Sequence, residues 1–174
     1  NLGLLKAKRK FVLFLDSDVI VCRNFFEKLF NIIEKNKLKK IFYCPQSYIP
    51  ANKNPNLFQR YLSISWFINQ TRDFKSFEML TSFCLLVERK YFLEIGGFSD
   101  KYKSAGGEEF EIISRIKKKF IKVTDIYCYH FQDNFILRLK KLFKRSINFK
   151  DVIIHNKSIP FTTKFKFFFI FLNS

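Results

Sequence analysis

No C-x-x-C pair occurs in this sequence. Its four cysteines, Cys22, Cys44, Cys84 and Cys128, lie far apart. That spacing argues against a zinc ribbon and for unpaired thiols in a reducing compartment. No signal-peptide pattern opens the chain. The longest apolar run near its end, Phe167 to Leu172, is too short to span a bilayer and would serve only as the first part of a longer span. Internal repeats and low-complexity linkers are also missing, so one domain is the simplest count. Acids are scarce, 15 against 32 Lys and Arg, which leaves a formal charge of +17. Such a charge fits a nucleic-acid binder or a protein held against an anionic membrane. Overuse of Phe, Lys, Ile and Asn, the way an AT-rich genome writes ordinary proteins, accounts for it as well.

What is present is apolar. With 174 residues and 48% hydrophobic content, the chain can bury a real core and does not read as disordered. It begins at Asn1, not Met, and ends directly after an apolar stretch, so both ends read as cuts in a longer protein.

The opening NLGLLKAKRK reads as a helix end and a basic turn. Phe11 to Leu15 is a continuous apolar run, the pattern of a central strand buried on both faces. Asn24, with Glu27 in capping-box position, predicts a helix to about Lys35 with Phe25, Phe26, Leu29, Phe30 and Ile33 inside. A short strand follows at Ile41 to Cys44. Residues 45–60, with Pro45, Pro50 and Pro55, read as a long loop, and Tyr61 to Asn69 as a helix. Ser82 to Val87 reads as a strand and Arg89 to Ile95 as a short helix stopped by Gly96-Gly97. After a loop at 99–107, Glu108 to Lys119 is helical, acidic first and basic last. Ile121 to Tyr129 reads as a strand and Phe135 to Ile147 as a basic amphipathic helix.

Three places carry chemistry. In FVLFLDSDVI, residues 11–20, two aspartates stand one residue apart behind the apolar run. Two carboxylates so placed either share a hard divalent cation or cap the next helix. Asn24 and Glu27 already fill the capping role, which favours the cation. The second place is GGEEFEIISR, residues 106–115. Projected at about 100° per residue, Glu109 falls on the stripe of Ile112, Ile113, Ile116 and Phe120. Glu108 and Glu111 fall off it, and Glu111 can pair with Arg115. An inward carboxylate at a helix start, after a Gly-Gly loop, has the placement of a general base. The third is His130, past a strand end, with either a structural or a ligand role.

In this order the segments resemble the GT-A-fold glycosyltransferases of family 2. The family pattern is an A-R-N-x-G helix end, a buried strand, D-x-D, an apolar strand, a helix ending G-G-F, and an E-D-x-E-L-x-x-R helix. A strand and a histidine follow. Here these are Asn1-Leu2-Gly3, FVLFL, Asp16-Ser17-Asp18, TSFCLLVERKYFLEIGGF, Glu108 to Arg115, and His130. The resemblance implies an α/β, Rossmann-like nucleotide-diphospho-sugar transferase fold, with a mixed central sheet flanked by helices. It covers residues 1–135 as the C-terminal part of a catalytic domain, without the front strands that hold the nucleotide base. Residues 136–174 are left as a basic, membrane-associating extension.

The same resemblance implies inverting transfer of a sugar from a nucleotide-diphosphate donor to an acceptor hydroxyl. Asp18 would bind Mn²⁺ or Mg²⁺, with His130 as a second ligand. Asp16 and Arg115 would serve the donor, and Glu109 would be the base. Glu108 and Gly96-Gly97-Phe98 would shape the acceptor side. The family usually has Asp at the base position, one methylene shorter than Glu109. A glycan or lipid-linked acceptor in bacterial surface polysaccharide or glycolipid synthesis fits, at the inner face of the cell membrane. Arg138, Lys140, Lys141, Lys144 and Arg145 would meet an anionic leaflet. Two rivals remain. A haloacid-dehalogenase-type phosphatase shares D-x-D, but it wants Thr or Val where Ile20 stands. A non-catalytic basic module binding membrane or nucleic acid is the other, and no nucleic-acid reader motif is present.

Overall fold

The computed structural model describes residues 1–71, 81–100, 108–116, 120–123, 125–141 and 143. In chain order the elements are α1 (Leu2–Lys6), β1 (Phe11–Leu15), β2 (Val19–Val21), α2 (Phe25–Lys35), β3 (Ile41–Tyr43), α3 (Leu57–Thr71), β4 (Cys84–Glu88), α4 (Arg89–Glu94), α5 (Glu108–Ile116), β5 (Phe120–Lys122) and β6 (Cys128–His130). A further helix, α6, spans 135–141.

Four strands form one mixed sheet in the order β1-β4-β3-β5. β4 runs antiparallel to both β1 and β3, and β3 parallel to β5. Alternation along these strands feeds two cores. Phe42, Cys44, Cys84 and Leu86 point to one side, where α2 packs with Phe25, Leu29 and Ile33. Ile41, Tyr43, Leu85 and Val87 point to the other, against Leu4 of α1, Phe92 of α4, and Ile112 and Ile116 of α5. Each fully buried side chain of this size contributes about 1.5–3 kcal/mol. Helices thus cover both faces, as the family resemblance implies.

Several boundaries differ from the sequence reading. Among the described residues β1 pairs only with β4, so it lies at an edge of the sheet and is half-buried, not central. The run read as one strand over Ile121 to Tyr129 splits into β5 and β6, which serve different sheets. The break holds Asp125, an exposed residue that an uninterrupted strand would have to bury. Asn24 does precede α2, but it is left-handed (φ 59°) and makes no side-chain cap. Phe26 and Phe30 face solvent. The working capping box is at α3. There Gln59 N donates to Asn56 Oδ1 (2.9 Å) and Asn56 N to Gln59 Oε1 (3.0 Å), so the helix starts inside the expected loop.

The Gly96-Gly97 stop behaves as read. Both glycines are left-handed (φ 87° and 62°), and Gly97 N donates to the Phe92 carbonyl. A Cβ on Gly97 would stand 2.6 Å from Asn1 Oδ1. That atom accepts from Phe98 N (3.0 Å), while Asn1 Nδ2 donates to the Phe98 carbonyl (2.7 Å). The asparagine of N-L-G and the turn of G-G-F, 97 residues apart, are therefore one device. Gly97→Ala is expected to cost about 1–3 kcal/mol through strain, plus the clash. The measurement is a lower denaturation midpoint at unchanged slope. A wild-type midpoint would show that Asn1 does not pin the turn.

The four cysteines are free. Yet Cys44, Cys84 and Cys128, so distant in sequence, bring their sulfur atoms within 4.8 Å of one another in the core beside α2.

Candidate active site

The pairing of β1 runs one residue past the strand, since Asp16 N donates to the Phe83 carbonyl (2.9 Å). The chain then turns: Val19 N donates to the Asp16 carbonyl (3.2 Å), which puts Asp16 and Asp18 at the first and third positions of one tight turn. β2 leaves this turn and pairs antiparallel with β6, placing Val19 opposite His130. Phe131 N closes the arrangement by donating to the Asp18 carbonyl (3.0 Å). Backbone pairing alone thus carries a histidine from the far end of the chain to the D-x-D turn.

The imidazole is oriented twice. Its ring meets Phe83 edge-on, with centroids 5.8 Å apart. Its Nδ1 lies 2.7 Å from the Phe131 carbonyl, which can only accept, so Nδ1 carries the proton. In the neutral ring Nε2 is then a bare lone pair, and it stands 3.5 Å from Asp18 Oδ1. A lone pair against a carboxylate is repulsive unless a proton or a cation lies between them. Asp16 supplies a third donor, and the three ligand atoms lie within 4.8 Å of one another. Around one ion, with bonds of about 2.0–2.3 Å, ligand atoms stand roughly 3–4 Å apart. Side-chain rotation is therefore enough to close the site. Two carboxylates with one imidazole fit a hard divalent ion, and the nitrogen suits Mn²⁺ better than Mg²⁺.

These residues form one wall of a pocket of about 240 Å³. Glu109 lines another wall, as the helical projection expects. Its Oε1 accepts from both Ser82 N and Ser82 Oγ, each at 2.7 Å. Two donors on one oxygen fix the direction of the carboxylate.

Other members of the pocket were not foreseen. Gln46 N donates to Gln70 Oε1 (2.6 Å), which commits that end of the amide. The other end, Gln70 Nε2, is buried without a hydrogen-bond partner among the described residues, as are Thr81 Oγ1 and Gln132 Nε2. All three residues line the pocket. Arg138 and Lys141 also line it, although they were expected on a membrane-facing surface. Arg138 lies over the Trp66 ring (5.6 Å to the centroid), and Lys141 pairs with Asp133 at 2.8 Å. Nothing in the sequence says that the basic face of α6 turns inward. Gln70 carries no such signal either, because it lies opposite the most apolar stripe of α3, where a polar residue reads as exposed.

Some expected site residues are elsewhere. Arg115 does not line the pocket. Its guanidinium donates to the carbonyls of Ile95 and Gly97 (2.7 Å for Gly97) and pairs with Glu111 at 2.5 Å. It holds the glycine turn, away from the described pocket lining where the resemblance would have it serve the donor. Gly96, Gly97 and Phe98 are likewise outside the pocket lining, and Phe98 packs on Phe14 and Phe92. The side chain of Glu108, and residues 144–174 with Lys144 and Arg145, lie outside the described set.

The family model for glycosyltransferase-like family 2 matches residues 1–153. The chain belongs to this family. Solved structures agree on the fold. GalNAc-T7 with UDP, GalNAc and Mn²⁺ superposes with a TM-score of 0.55 at 19% identity, over 77% of this chain and 29% of that one. Residues 1–349 of S. aureus TarS, in complex with UDP-GlcNAc, give 0.51 at 15% identity, over 77% and 38%. This family 2 chain therefore spans about a third of the length of these two structures and has the GT-A architecture. No curated protein matches its sequence. Membership removes the phosphatase reading of the D-x-D turn.

Proposed function

We propose that this family 2 protein transfers a sugar from a nucleotide-diphosphate donor to an acceptor hydroxyl, with inversion at the anomeric carbon. The observation that carries the reading is the meeting of Asp16, Asp18 and His130 with Glu109 across one pocket. Asp16, Asp18 and His130 would hold a divalent ion, Mn²⁺ or Mg²⁺, whose chemistry is to neutralise the diphosphate as it leaves. Glu109 accepts the proton of the acceptor hydroxyl as its oxygen attacks the anomeric carbon from the side opposite the diphosphate. Ser82 keeps the carboxylate aimed during that step. Gln70 Nε2, Thr81 Oγ1 and Gln132 Nε2, without partners among the described residues, offer hydrogen bonds to a hydroxyl-rich ligand, since buried polar atoms without partners are rare in folded proteins. Arg138 and Lys141 bring positive charge to the same pocket, which suits a diphosphate.

The GalNAc-T7 structure holds Mn²⁺ and UDP, and the TarS structure a UDP-sugar, which supports the same ligand classes here. We assign the protein to the synthesis of bacterial surface polysaccharide or glycolipid, peripheral at the inner face of the cell membrane, with a glycan or lipid-linked acceptor. No described helix is long and apolar enough to cross a membrane. A screen of nucleotide-diphospho-sugars for Mn²⁺-dependent hydrolysis or transfer by the full-length protein tests the reading. Turnover of at least one donor that stops with EDTA is expected; no turnover of any donor would overturn it.

A further inference from the structure

The apolar face of α6 looks outward. Phe135, Ile136 and Leu139, with Phe143 just past the 135–141 span, are exposed, Ile136 to 66% and Phe143 to 75%. The opposite side of the helix carries Arg138 and Lys141 into the pocket. This is the reverse of an ordinary surface helix, whose apolar stripe faces the core.

The same inversion is built into α3. Leu57, Tyr61, Ile64 and Ile68 fall on one stripe at helical spacing, and all four are exposed, Leu57 to 86%. Across the helix, Leu62, Ser63 and Gln70 are buried. Phe58, beside that stripe on α3, meets Phe135 of the α6 stripe edge-on at 5.3 Å, so the two helices adjoin there. Eight large apolar side chains on and beside two adjoining helices form a patch of the kind that marks an interaction site.

Charge selects what covers it. Residues 35–72, which include all of α3, contain no Asp or Glu, and neither do residues 134–150 around α6. Exposed Arg60 and Lys140 flank the stripes. A second copy of this chain would bring +17 against +17, which opposes association. An anionic bilayer surface satisfies both features, because it accepts aromatic and aliphatic side chains at the headgroup boundary and attracts cations.

We infer that the outward faces of α3 and α6 together form the surface that docks on an anionic lipid leaflet. The inner faces of the same two helices contribute Trp66, Gln70, Arg138 and Lys141 to the pocket. Docking would therefore hold the pocket within one helix diameter of the lipid headgroups, where a lipid-linked acceptor presents its hydroxyl. This deepens the peripheral-enzyme reading above by naming the surface.

The test is co-sedimentation of the full-length protein with phosphatidylglycerol-containing vesicles and with purely phosphatidylcholine vesicles. Binding to the anionic vesicles is expected, and the Ile64→Asp/Ile136→Asp variant should lose it at least tenfold. Mn²⁺ affinity and the melting temperature should stay near wild type. As a check that needs no loss of function, Ile136→Trp in a Trp66→Phe background should be quenched by brominated lipids on vesicle addition. Wild-type binding by the charge variant, no quenching at position 136, or no vesicle binding by the parent would each overturn the inference. So would a dimer that the charge variant dissociates while the parent ignores vesicles. Vesicle binding requires neither donor nor metal. A protein that docks yet turns over no donor would thus leave the surface standing and bring down only the proposed reaction.

Discussion

Glu109→Gln is expected to lower sugar transfer by about 10²–10⁴-fold, the range that a positioned general base supplies. Glutamine keeps the length of the side chain, and its Oε1 can still accept from Ser82 N and Ser82 Oγ. The helix, the turn and the pocket wall should survive, and only basicity is removed. The loss should therefore fall on kcat, with donor KM and Mn²⁺ affinity little changed. Steady-state kinetics with the donor found in the screen reads this directly. A fully active Glu109→Gln protein would overturn the base assignment. Glu109→Asp sharpens the test. Family resemblance makes aspartate the ordinary residue here, but shortening the side chain by one methylene draws the carboxylate away from Ser82. Partial impairment is expected, with Ser82 as the reason that this chain prefers the longer acid.

Asp18→Ala is expected to abolish metal-dependent turnover and to weaken Mn²⁺ binding by about 100-fold or more. A metal clamp on a leaving diphosphate supplies several kcal/mol, and each 1.36 kcal/mol is tenfold in rate. Titration of Mn²⁺ by electron paramagnetic resonance of the free ion gives the affinity without any catalytic assay. His130→Ala should give a smaller loss, because two carboxylates remain. The stability of the metal-free protein discriminates this role from a structural one. In the absence of an ion Asp16 and Asp18 repel each other, and His130 Nε2 faces Asp18 at 3.5 Å. Removing the Asp18 carboxylate should therefore leave the melting temperature unchanged or raise it. A marked fall would mean that Asp18 holds the turn and not an ion.

Much of this arrangement is legible in the sequence where a local rule decides it. The short apolar runs around Ile41–Tyr43 and Cys84–Val87 read as strands, and a strand apolar on both faces has a core on each side of it. Projection at helical spacing turns Glu109 inward because Ile112 and Ile116 fix which face is buried. The failures share a different character. Periodicity reports that α6 has an apolar and a cationic face, but not which one looks in. The default of apolar inside is reversed here, because Arg138 and Lys141 have Trp66 and Asp133 to meet. Arg115 matches a donor residue by resemblance, while its reach to the Gly97 carbonyl depends on a turn 18 residues away. Asn24 and Asn56 carry the same cap signal. Only Asn56 uses it, because the left-handed backbone at Asn24 takes its side chain away from the helix start.

The three clustered thiols make the protein its own recorder of opening. Cys44, Cys84 and Cys128 sit on three separate segments, just after β3, at the head of β4 and at the head of β6, and each is at most 1% exposed. An alkylating reagent reaches none of them until those strands part, and a parting that frees one exposes its neighbours too. Cys22, which is only partly buried, is free to label earlier. The mass spectrum under slow alkylation should therefore jump from one adduct to four without a ladder between. The rate of that jump measures how often the core comes apart under native conditions.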